Sequence, residues 1–160
     1  MNQPDRDQLI QELQTTQAQV STLLRAMADV QDWQVEPAEW SFRYIAASLA
    51  TVERTCFLPR IVEIASGSQP VFESYVYVGH DFNHHDLCEW LDLWAIARQE
   101  IIDFVRELPV EKLLYTGIHE PFGTLTLLDA LAEIVTHDQG HARHIQQLIA
   151  DYHEELGQNG

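Results

Sequence analysis

Four long stretches carry apolar residues at helical spacing, and proline and glycine separate them. That pattern constrains the fold more than any other feature of the chain. In the first stretch, about residues 5–31, Leu9, Leu13, Val20, Leu23, Leu24, Met27 and Val30 recur at intervals of three, four and seven. Trp33 and the Glu36-Pro37 pair stop it, because the residue before a proline avoids helical dihedrals. The second opens at Trp40-Ser41, with Ser41 placed to cap it, and Ile45, Leu49, Val52 and Cys56 form its stripe. Pro59 is expected to kink or end its regular part, and Ser66-Gly67-Ser68 closes it. The third, about residues 83–108, carries Leu87, Trp90, Leu91, Trp94, Ile101, Phe104, Val105 and Leu108, and stops at Pro109. The fourth begins at Thr126 and Asp129, which read as a capping box, and runs to about residue 152.

Amphipathic helices of this length can hide their stripes only against one another. The expected fold is therefore all-α, a single four-helix bundle domain over residues 1–160. Residues 67–82, with Tyr75, Val76, Tyr77 and Val78, read as a short strand or ordered loop. The connection that holds Pro109, Gly117, Pro121 and Gly123 is long enough to allow an order other than plain up-and-down.

Charge narrows the partners. With 25 Asp and Glu against 9 Lys and Arg, the formal net charge is −16, which repels phosphate backbones. Neither nucleic acid nor an anionic membrane is an expected partner. No apolar run approaches the roughly 20 residues needed to cross a bilayer. The polar start, Met1 to Leu13, leads us to expect no signal peptide and a cytoplasmic location. Cys56 and Cys88 lack metal or redox spacing and read as small buried hydrophobes.

Six of the eight histidines fall in two groups, His80, His84, His85 and His137, His141, His144. Residues four apart on a helix lie one above the other, so His137 and His141 can aim two imidazoles at one point. With Ile134 at zero on a helical wheel, Leu127, Asp138, His141, Ile145 and Leu148 fall within about 40°. His137 lies about 60° to one side, and His144 nearer solvent. A histidine in an apolar stripe must be partnered, since burying an unpaired polar group costs about 1–3 kcal/mol. Two readings stay open: His141 and Asp138 fix packing by hydrogen bonds to neighbouring helices, or they belong to a metal or catalytic pocket. His80 and His84 span a loop–helix junction and read as solvated or capping.

The segment from Gly123 through His137-Asp138 to His141, the opening Trp40-Ser41-Phe42-Arg43 followed by Leu49 and Glu53, and Arg98 in the third helix together resemble the DinB/YfiT-like superfamily. The resemblance implies a divalent metal, often zinc or nickel, held by three histidines inside the bundle. His137 and His141 match two of them. The third position, eight residues after Trp40, is occupied by Ser48. A hydroxyl is a poor ligand for zinc or nickel beside imidazole. Glu53 is five residues further on, turned by about 140°, and reads as an ion-pairing or capping residue.

Characterised members of the superfamily include metal-dependent S-transferases that use low-molecular-weight thiols, and thiol-dependent isomerases. By this resemblance His137 and His141 are metal ligands, Tyr44 and Ser48 line the pocket and position a small-molecule substrate or a water, and Asp138 orients an imidazole. Homodimers are implied in the same way. The competing expectation is a structural or small-molecule-binding bundle without metal, supported by Ser48. A metal-dependent hydrolase is a third reading, with Glu133 near the rim as its carboxylate. The four tryptophans are assigned to the core.

Overall fold

The computed structural model describes residues 5–73, 82–120 and 123–159. The expected extended run at residues 75–78, and His80, lie outside them. The first helix, α1 (Arg6–Arg25), is shorter than its apolar pattern and is followed by a 3-10 turn, Ala28–Val30. Its N-cap is Asp5, whose carboxylate accepts from the Gln8 amide.

The second helical stretch has three parts, α2 (Phe42–Val52), a π turn (Glu53–Phe57) and α3 (Leu58–Ala65). Ser41 caps it as expected, accepting from the Tyr44 amide at 3.1 Å. The regular α-helix is interrupted just ahead of Pro59, as expected, but the chain stays helical through the interruption. The π turn lies immediately upstream, and the Leu58 amide donates to the Glu53 carbonyl five residues back. The wider turn leaves room for a proline ring that would collide with a regular helix.

The third long helix, α4 (Leu87–Arg106), is capped by Asp86 through the Glu89 amide. The fourth, α5 (Leu127–Asn159), begins at the capping box: the Thr126 amide donates to Asp129 at 2.9 Å and the Asp129 amide to the Thr126 hydroxyl at 3.0 Å. It continues past the expected end, and near that end Tyr152 packs edge-on against Trp33, whose indole N–H donates to Glu155.

α1 packs chiefly on α5, and α2 on α4, which makes the four-helix bundle. A small sheet ordered β1-β2-β3 caps one end: β1 (Val71–Phe72) runs parallel to β2 (Thr116–His119), which is antiparallel to β3 (Gly123–Thr126). Gly117 lets this sheet approach α3, since a Cβ there would lie 3.1 Å from Ile64 and Phe72 side chains. Among the described residues no helix is long and apolar enough to cross a membrane.

The buried apolar residues form two clusters stacked along the bundle. One gathers Val20, Leu24, Phe42, Ile45, Leu49, Leu91, Trp94 and Ile145. The other gathers Leu9, Leu13, Ile61, Ile64, Ile101, Val105, Leu131 and Ile134. Four buried polar residues join one another between them: Thr16 from α1, Glu53 from the π turn, Arg98 from α4 and Asp138 from α5, while Ser48 of α2 is also buried.

Candidate functional site

The polar layer is fully knitted. Arg98, 1% exposed, donates from Nε to Glu53, from Nη2 to Glu53 Oε1 at 2.9 Å, from Nη1 to Asp138 Oδ2 at 2.8 Å, and from Nη2 to Asp138 Oδ1 at 3.1 Å. Nη1 also reaches the Leu13 carbonyl at 2.7 Å. The Thr16 hydroxyl donates to Asp138 at 2.6 Å, and the Trp94 indole to Glu53 at 3.2 Å. Burial alone disfavours the Arg98 charge. The hydrogen bonds and attraction of Glu53, and then of Asp138, more than offset it and raise its pKa above the ordinary value. Glu53 thus takes the ion-pairing role left to it by the helix geometry. Asp138 faces Arg98 and Thr16 with its hydrogen bonds. Its negative charge is felt at His137, which it favours in the protonated form.

One turn apart on α5, the His137 and His141 rings meet edge to face with centroids 4.6 Å apart. Both are half-buried. His141 lies in the middle of the apolar stripe by sequence, yet it opens onto an open cleft of about 490 Å³ instead of the core. That cleft is lined by Glu39, Trp40, His137, Gly140, His141 and His144. Burial pushes the His137 pKa down. For His141 burial, then the neighbouring His137 and His144, bring it to about 4. Both imidazoles are therefore mostly neutral at pH 7.

Trp40 is a cleft wall, not a core residue, with 39% of its surface exposed. Its indole lies 6.3 Å from His141, inclined by 23°, and edge-on to His144 at 6.5 Å. Tyr44 packs behind it at 4.9 Å and passes the contact on to Phe82 at 5.1 Å. The other three tryptophans fit the core assignment better: Trp90 and Trp94 are buried, and Trp33 packs against the core. The strap before α2 is held by the Arg43 amide on the Gln31 carbonyl, at 2.9 Å, and by Arg43 paired with Asp32 at 2.6 Å. On the other flank Phe57, from the π turn, stands edge-on to His137 at 5.2 Å.

Ser48, 6% exposed, is buried on α2 between the core residues Ala47 and Leu49. The cleft-lining set brings together the expected pair His137 and His141, and with them His144. Tyr44, Ser48 and Asp138 are not among the residues that line it. Cys56, in the π turn, and Cys88 are only half-buried, less than expected of small buried hydrophobes. Glu133 is exposed, and with Arg60 and His119 it borders a narrow crevice of about 30 Å³ on the far side of Phe57.

Gly140 is the site residue that pattern reading passes over. It sits deep inside a 33-residue helix, where glycine costs about 1 kcal/mol relative to alanine. Packing does not demand it: a Cβ there would meet only the Arg143 guanidinium, at 3.8 Å.

The donor set can be tested against the three-histidine centre. Among the described residues no group of three or more His, Cys, Asp or Glu side chains is placed to hold a metal ion. The position that the resemblance gives to the third histidine is Ser48. Two imidazoles and a hydroxyl do not match the three strong donors of a catalytic zinc or nickel site.

The model of the DinB superfamily matches residues 12–145, and the chain belongs to that superfamily. Among solved structures it is similar to YfiT from Bacillus subtilis, described as a probable metal-dependent hydrolase with an unusual four-helix bundle topology. The match has a TM-score of 0.77 at 21% sequence identity, covering 92% of this chain and 87% of that one. A comparison with curated proteins found no significant match.

Proposed function

We propose that this chain is a small-molecule-binding bundle whose working site is the cleft between Trp40 and α5, and that it works without a three-histidine metal centre. The observation that carries this reading is a pair of neutral imidazoles on an open cleft beside the exposed Trp40 indole, with serine at the position that the resemblance gives to the third histidine. Neutral imidazole both accepts and donates hydrogen bonds, and Trp40 adds an exposed aromatic face. A few convergent polar groups on an apolar-walled cleft are what a small-molecule site requires.

Metal retention tests it. Untagged protein is stripped with chelator, exposed to Zn²⁺ or Ni²⁺, gel-filtered, and analysed for metal. The expected result is retention far below one equivalent. One equivalent held by the wild type and lost in His141→Ala overturns the reading.

A second reading is favoured by the same neutral pair, since free-base imidazole is the form that binds zinc or nickel. In it the chain is a metal-dependent enzyme, either a hydrolase of the kind for which YfiT is named or an S-transferase using a low-molecular-weight thiol. Those two divide on whether turnover requires added thiol.

A further inference from the structure

The cleft has one wall on α5 and the other on the strap before α2, and only the first is built into a helix. Residues 34–40 of the strap are exposed throughout. Holding such a stretch in one conformation costs backbone entropy, and burial offsets little of it. Trp40, the last of these residues, reaches the bundle with its ring, which meets Tyr44, His141 and His144.

A brace inside the strap fixes its shape. The Gln34 side-chain amide donates from Nε2 to the Glu39 carbonyl at 2.6 Å and to the Pro37 carbonyl at 3.4 Å. The Glu39 amide donates to the Glu36 carbonyl at 2.9 Å. The Glu39 carbonyl belongs to the planar peptide unit that leads into Trp40, so fixing the one orients the start of the other.

The foot of the brace is clamped independently. Trp33, the neighbour of Gln34, stacks on Phe42 at 6.0 Å, meets Tyr152 edge-on at 5.3 Å and donates its indole N–H to Glu155. Tyr152 and Glu155 stand about three turns or more beyond His141 on the same helix. The strap that carries one wall of the cleft is thus anchored to the far end of the helix that carries the other.

We propose that Gln34 is a positioning residue of the cleft: clamped through Trp33 to the end of α5, it holds the Trp40 indole against His141 and so sets the width of the site. This rests on the reading of the cleft as the working site.

An aromatic ring shifts the resonances of an imidazole stacked near it, so the His141 ring protons report where Trp40 stands. Wild type, Trp40→Ala, Gln34→Glu, Glu155→Ala and Glu155→Gln are compared by NMR as full chains at pH 7.5, where His141 is neutral. The His119 ring, in the crevice on the far side of Phe57, is the internal reference. Gln34→Glu keeps the length of the side chain and removes its N–H donors. It is expected to move the His141 signals most of the way to their Trp40→Ala positions, while His119 and the melting temperature stay as in the wild type. Glu155→Ala moves them in the same direction, and Glu155→Gln, which keeps an acceptor for the indole N–H, restores them. His141 signals that Trp40→Ala moves but Gln34→Glu or Glu155→Ala leaves in place overturn the proposal and leave the reading of the cleft standing. Signals that Trp40→Ala itself fails to move remove Trp40 from the cleft wall, and overturn both.

Discussion

Arg98 holds Asp138 by two parallel hydrogen bonds, 2.8 and 3.1 Å long, and so turns the residue between the two site histidines toward the structure of the bundle. The carboxylate next to His137 is the far end of an ion-paired layer that begins at Glu53. That layer separates the two apolar clusters and sets the height at which α5 meets α1 and α4.

Removing the cation from this layer leaves two buried carboxylates facing each other. Arg98→Met is expected to destabilise the fold by about 3–5 kcal/mol, the range for breaking a buried ion pair. In a chain of this length that lowers the melting temperature by about 10 °C. Replacing all three charges together, Glu53→Leu with Arg98→Met and Asp138→Leu, recovers most of the loss. Urea denaturation measures both, and a loss below about 1 kcal/mol for Arg98→Met contradicts the layer's role.

Gly140→Ala has the opposite sign. The added methyl group meets nothing closer than the Arg143 guanidinium at 3.8 Å, so the helix gains about 1 kcal/mol and the melting temperature rises by about 2–4 °C. Equilibrium unfolding of the variant checks the sign, and a loss of stability contradicts the open Cβ position.

His141 makes stability depend on pH. Its pKa falls from 6.5 in the unfolded chain to about 4 in the fold, so the folded state binds fewer protons between those values. The stabilisation is complete above pH 6.5 and is lost as pH falls toward 4. Allowing for the partial exposure of the ring, its share is roughly 2 kcal/mol. Wild type should therefore lose stability faster than His141→Gln across this window, with the two curves parallel above pH 7. Thermal melts in a pH series check the difference. Identical slopes contradict the buried neutral state.

Helix caps give a local test of the boundaries. Ser41→Ala removes the acceptor of the Tyr44 amide, and Thr126→Ala removes half of the box that starts α5. Each is expected to cost about 1 kcal/mol, measured by equilibrium unfolding.

The bundle was legible because stripes at helical spacing and the caps Ser41, Thr126 and Asp129 all point to the same elements. Pro59 marks the interruption of the second helical stretch, but that it takes the form of a π turn has no periodic signature. The sheet strands Thr116–His119 and Gly123–Thr126 are four residues each, too short to outweigh the surrounding turn residues. At the site, the stripe position of His141 leaves packing and a pocket equally open, and it is a cleft that the residue lines. The wheel assumes that a neighbouring helix covers each point of the stripe, and at His141 the neighbour is a cleft wall, Trp40. That tryptophan was assigned to the core on composition alone. Arg98 was noticed through the family resemblance, whereas its burial between Glu53 and Asp138 depends on three helices meeting at one level, which no single helix encodes.

The central claim is that Ser48 marks the lost third donor beside a pair of intact imidazoles. Calorimetric titration of Zn²⁺ and Ni²⁺ into untagged wild type and Ser48→His, with circular dichroism to establish that both are folded, tests it most directly. The account predicts weak binding to the wild type and a gain of at least about tenfold in the variant, as a third imidazole joins the set. Tight one-to-one binding by the wild type, unchanged by Ser48→His, would contradict it.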